Sequence, residues 1–202
     1  MSAASIAVIV GGYGEVEAVP ILIRRIACNL HPGFVPSILS PIRVPESRLR
    51  KQGELERTIK LAGLKLGGRG AILVVIDCDW DGGCPRIDGP ELLNRARLVR
   101  QDVDISVVLA KHEFESWFIA AAESLRGIRG LRADLTAPAD PESIRGAKEW
   151  LNRQMQEHCY SVTTDQPAFT AEFDLELARR ADSFDKCYRE ITRLLEEIRE
   201  QN

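Results

Sequence analysis

Three aspartates at alternate positions, Asp77, Asp79 and Asp81, close the apolar run AILVVIDCDWDGG of residues 71–83. Carboxylates that converge repel one another and resist ionising together unless a hard cation such as Mg²⁺ or Mn²⁺ sits among them. Two further sets of acids stand just after apolar runs: Glu15 and Glu17 behind SIAVIVGGYG, and Glu113 and Glu115 behind DISVVLAKH. Acids gathered around a divalent ion suit phosphodiester hydrolysis or transfer, because the cation neutralises phosphate oxygens and lowers the pKa of bound water. Each set has a plainer reading on its own. Asp81-Gly82-Gly83 is a good turn, GGYG a tight strand-to-helix connection, and acids are common in solvated loops. Asp77 and Asp79 are the exception, since a carboxylate at the end of a strand buried on both sides is costly without a purpose.

These residues can act together only if the chain brings them to one place. SIAVIV (5–10) reads as a strand, followed by a helix from Glu15; 34–40 as a short second strand and 54–67 as a second helix. AILVVID (71–77) is a third strand, 89–101 a helix, 104–110 a fourth strand and 112–125 another helix. Strands without polar alternation are buried on both faces, and the βαβαβαβα order predicts an α/β fold: a mostly parallel sheet of about four strands with helices on both faces. Residues 1–130 form this Rossmann-like domain. Residues 131–202 form a C-terminal helical extension packed on it, with helices at 141–158 and 184–201 around the polar segment YSVTTDQPAFTAEFD. In a parallel sheet ligands bind beyond the carboxyl ends of the strands. Glu15, the aspartates after the third strand, and Lys111, Glu113 and Glu115 after the fourth all fall along that edge.

A net charge of −3 gives no global signature of a nucleic-acid or anionic-membrane partner. The segment RVPESRLRK is locally basic, and Arg43, Arg48, Arg50 and Lys51, with Lys111, are the candidate phosphate contacts; a solvated charge run is the alternative. Trp80, between acids, is either packed against the sheet or open to a ligand. Phe114, Trp117 and Phe118, at helical spacing, read as core. Five cysteines at scattered spacings suggest reduced thiols. With no run near the ~18 apolar residues of a membrane span, the expected location is cytoplasmic and no membrane partner is expected.

The segments GGYGEVEAVPILIRRIA, VVIDCDWDGGCP, HEFESWFIAA and DQPAFTAEFDLELARRADSF, in this order, resemble a bacterial Toprim-like family catalogued as domain of unknown function 4276. That family in turn looks like the Toprim domain of topoisomerases, primases and overcoming-lysogenization-defect (OLD) nucleases. The resemblance implies a site with Glu15, Asp77, Asp79 and Glu113 in catalysis. It implies Mg²⁺ or Mn²⁺ held by Glu15, Asp77, Asp79, Asp81 and Glu115. Gly11 stands where Toprim domains carry their hallmark glutamate, so either Glu15 substitutes for it or the site is weak or inactive. Three functions stay open: a metal-dependent nuclease, for instance in phage defence; a catalytically weak or inactive subunit of a separate ATPase; and a phosphatase of the haloacid-dehalogenase type using Asp77 and Asp79.

Overall fold

The computed structural model describes residues 4–201. The β-branched run Ser5–Val10 is β1, buried along its whole length, and the glycine turn leads into α1 (Glu15–Leu30). The next edge is not one strand over 34–40. Two short pairings, β2 (Ser37–Ile38) against Ser5 and Ile6 and β3 (Ile42–Arg43) against Ile9 and Val10, lie in tandem along β1. Pro36, Pro41 and Pro45 cannot donate to a ladder and so cut the edge into these pieces. The chain continues through α2 (Glu46–Leu49), α3 (Glu54–Leu66), β4 (Gly70–Cys78), α4 (Pro85–Val99), β5 (Asp104–Lys111) and α5 (Ser116–Ala120). It ends with α6 (Ala147–Gln154), α7 (Asp165–Glu172), α8 (Leu175–Ala178) and α9 (Asp182–Glu200). The sheet has five strands, all pairs parallel, in the order β2-β1-β4-β5 with β3 also on β1.

Strand alternation divides the core in two. Ile6, Val8, Val10, Leu73, Val75, Val108 and Ala110 face α1, α5, α7 and α9, whereas Ala7, Ile9, Val74, Ile76, Val107 and Leu109 face α3 and α4. Buried residues of α9 recur at three- and four-residue spacing, Phe184, Cys187, Ile191, Leu194, Leu195 and Ile198, and belong to the same cluster as β1 and β4. All five cysteines carry free thiols. No helix among the described residues is long and apolar enough to cross a membrane.

The helices depart from the expected bounds for local reasons. α4 begins at Pro85 rather than at residue 89, with proline in its first turn and the Asp88 carboxylate accepting from the Cys84 N–H at 2.7 Å. The span 112–125 is not one helix. His112 adopts a left-handed φ of 63°, α5 follows only at Ser116, and a 3₁₀ turn covers Ala122–Leu125. Gly146, at φ 70°, delays α6 to Ala147, and the helix stops before Met155, which bridges to Leu131. The polar segment 160–174 contains α7, whose Pro167 falls in the first turn, where a missing N–H costs little.

Phe118 ties these parts together, with ring centroids 5.6, 5.7 and 5.5 Å from those of Phe114, Phe169 and Phe173. Phe118→Ala is expected to destabilise the protein by about 3–5 kcal/mol, the range for a fully buried aromatic, read as a lower denaturant midpoint with the two-state slope retained.

Candidate functional site

β4 is the centre of the edge. Its odd-numbered residues face α1 and α5, so Asp77 extends beyond Val75 on that side, while Cys78 joins the opposite core. The Asp77 Oδ1 accepts from the Phe114 N–H at 2.8 Å, which draws the β5–α5 connection over the end of β4. The left-handed corner at His112 makes this possible, and it is an unusual conformation for a residue with a side chain. It turns Glu113 and Glu115 inward, both buried.

Glu15, the first residue of α1, folds back over its own turn. Its Oε2 accepts from the N–H groups of Gly11 at 3.0 Å and Gly12 at 2.7 Å, and the side chain is buried. Burial pushes this carboxyl above the usual range, against the lowering effect of the Gly12 and Gly11 donors. Burial likewise raises Asp77 well above its usual value, and Glu15 and Glu115 add to the rise. Glu115 is raised by burial although Lys148 opposes it.

Lys148, in the first turn of α6, supplies the cation. Its Nζ lies 2.5 Å from Glu113 Oε1, 3.1 Å from Glu115 Oε2 and 3.8 Å from Asp77 Oδ2, and its backbone N–H donates to Glu113 Oε2 at 3.3 Å. Burial would favour losing this proton, but the carboxylates of Glu115, Asp77 and Glu113 outweigh it and hold the ammonium charged beyond the ordinary lysine range. Glu115 Oε1 accepts from the Tyr160 hydroxyl at 2.9 Å and from the Gln166 amide at 3.4 Å. The Gln166 Oε1 is buried without a hydrogen-bond partner. α7 approaches the glycine turn so closely that a Cβ on Gly14 would fall 1.9 Å from Gln166 Oε1 and 2.2 Å from Val162 O.

The structure brings together Glu15, Asp77, Glu113 and Glu115. It does not bring in Asp79 or Asp81. β4 ends at Cys78, so alternation no longer aims the chain: Asp79 is 53 % exposed with His112 Nδ1 3.8 Å away, and Asp81 is exposed. Trp80 is partly buried against the α3–α4 side, with the Arg50 guanidinium 4.3 Å from its ring centroid. Arg43, in β3, lies 3.8 Å over the ring of the exposed Tyr13. Arg48 is paired with Glu54 at 2.7 Å, and Lys51 is exposed. Lys111 falls on the opposite face from Asp77, beside Arg86, Lys186 and Arg189 in a groove between α4 and α9. Lys148, Tyr160 and Gln166 were not identifiable by periodicity. The available signal was the excess of buried acid, which requires a cation from elsewhere in the chain.

Two outcomes follow from this geometry. Gly14→Ala should cost about 1–3 kcal/mol through overpacking, whereas Gly11→Ala, whose Cβ would meet Ile76, Glu15 and Glu46 at 3.6–3.8 Å, should stay within about 0.5 kcal/mol of wild type in chemical denaturation. A folded-state pKa raised above the unfolded value means that Asp77 supports the fold below its usual value of 3.8 and loses that contribution as pH rises through the raised value. Asp77→Asn keeps the oxygen that accepts from Phe114 and removes the charge. Its melting temperature in chelator should exceed that of wild type, by a margin that widens as pH rises above the usual aspartate value of 3.8 and levels off once Asp77 is ionised in the folded protein.

No curated protein and no solved structure matches the chain. The sequence profile of one family does match, over residues 10–192, from the last residue of β1 into α9, and so across every member of the cluster. The chain belongs to the family described as Domain of unknown function (DUF4276).

Proposed function

We propose that the cluster is a divalent-cation site for phosphodiester hydrolysis or transfer, with a nucleic acid as substrate. The observation that carries this reading is the convergence of four carboxylates, from the start of α1, the end of β4 and the β5–α5 connection, at the carboxyl edge of a parallel sheet, with one ammonium among them in the described residues. The donors are all oxygen, as a hard cation requires. Among the described residues no three acid, histidine or cysteine side chains stand ready to share one ion. Mg²⁺ accepts such a site, since it keeps several waters and takes one or two carboxylates together with substrate phosphates. Glu15 and Asp77 would hold it, and once bound it would supply charge neutralisation at phosphate and a more acidic water.

The chain's own groups prepare that place. The amides of Gly11 and Gly12 fix Glu15, the Phe114 N–H fixes Asp77, and Lys148 offsets the charge of Glu113 and Glu115. Arg43 on Tyr13 and Arg50 on Trp80 offer guanidinium groups to a phosphate backbone at the ends of β3 and β4. The likeness to Toprim domains supports the same chemistry. A second reading, a catalytically weak subunit that works with a separate ATPase, is favoured by the lack of a carboxylate at Gly11 and by the exposed position of Asp79. A phosphatase of the haloacid-dehalogenase type would need Asp77 and Asp79 at one point, and this arrangement gives it no support.

The test is hydrolysis of plasmid DNA, single-stranded DNA and RNA with Mg²⁺ or Mn²⁺. Wild type should cleave at least one of them and stop in chelator, and Asp77→Ala should lose on the order of 100-fold or more of that rate. Equal metal-dependent rates in the two proteins would reject Asp77 as part of the site. Absence of cleavage by wild type alone, restored by a partner ATPase, would select the second reading.

A further inference from the structure

We infer that Lys148 is a fixed cation of the centre, standing where a second divalent ion would otherwise bind, so that the protein takes one metal ion and not two. The inference rests on the divalent-cation reading above and specifies how that site is filled.

The oxygens of the cluster show the division. Glu15 Oε2 is committed to two backbone amides and Asp77 Oδ1 to a third. Glu113 gives one oxygen to the Lys148 ammonium and the other to the Lys148 backbone N–H. Glu115 Oε1 serves Tyr160 and Gln166. Its Oε2 is fully buried with no hydrogen bond, and only the Lys148 charge stands against it, at 3.1 Å. What remains is Glu15 Oε1 and Asp77 Oδ2, the latter 3.8 Å from the ammonium on a side chain that is one quarter exposed. Two carboxylate oxygens, at the ends of neighbouring strands, suit one hydrated Mg²⁺ or Mn²⁺. They do not suffice for two.

Lys148 is held in place by more than its charge. One carboxylate, Glu113, accepts from both its ammonium and its backbone N–H, so the acid that pairs with the side chain is itself anchored at the start of α6. The buried oxygen of Glu115 has the Lys148 ammonium, at 3.1 Å, as its counter-charge when the carboxyl is ionised. A methionine of similar length in place of Lys148 would leave Glu113 and Glu115 facing an uncharged side chain, and their oxygens would become ligands for a second ion.

The experiment counts ions on the full chain with Mn²⁺ as the probe, by calorimetry and by electron paramagnetic resonance. Wild type and Lys148→Arg should bind one Mn²⁺ per chain; Lys148→Met should bind two, with spin coupling between them. Two ions in wild type, or a single ion in a folded Lys148→Met, would overturn the inference while leaving the metal reading intact. No ion in any of the three proteins would overturn both. Acylation of wild-type lysines read by mass spectrometry gives a measure that does not depend on the variants folding. Lys148 should stay protected to the same degree with and without Mn²⁺, and a rise in its labelling on adding Mn²⁺ would show that the ion displaces the ammonium and refute a fixed role.

Discussion

A partly buried ammonium among buried acids is the constraint on which the carboxyl edge of this protein depends. Glu113 and Glu115 are buried acids, and buried ionisable groups persist inside a protein chiefly when paired. Lys148 satisfies both and touches the field of Asp77. Breaking a buried pair of this kind typically costs about 3–5 kcal/mol, because the abandoned charge has no water to turn to. The pairing therefore fixes where α6 begins, and with it the path of the chain between α5 and α7.

The rest of the edge is arranged to tolerate residual repulsion. Glu15 and Asp77 share only the more distant field of Lys148, 3.8 Å from Asp77 Oδ2, and are steadied by backbone amides. Both carboxyls are raised by burial, a departure from the ordinary that concentrates at functional sites. The left-handed His112 belongs to the same pattern, a non-glycine residue held in a sparsely populated conformation beside the acids it orients. Glu15, Asp77 and His112 thus weaken the fold locally, and they are stabilised by the aromatic core beneath them.

How much of this could be read from the chain varies with the physical cause. Glu15 and Asp77 were legible because a parallel sheet has one functional edge, and apolar runs show where each strand ends. Asp79 and Asp81 fall outside the buried group for a related reason: their two-residue spacing has meaning only while the strand continues, and β4 stops at Cys78. The edge strand near residue 37 is visible in its apolar residues, but prolines split it into two short pairings because they cannot donate to a ladder. α7 is hidden in a segment that reads only as polar, because its eight residues carry too few apolar positions to show a helical stripe. Lys148 and Tyr160 lie 33 and 45 residues beyond Glu115, and no local pattern encodes a pairing that depends on how α6 and α7 return to the sheet.

The order of residues along the chain gives this pairing a further meaning in time. Glu15, Asp77, Glu113 and Glu115 all emerge from the ribosome before Lys148, Tyr160 and Gln166. The acids therefore cannot meet their internal cation until α6 has been made, nor Glu115 its Tyr160 and Gln166 partners until the chain has reached Gln166. Closure of the site is a late event of biogenesis.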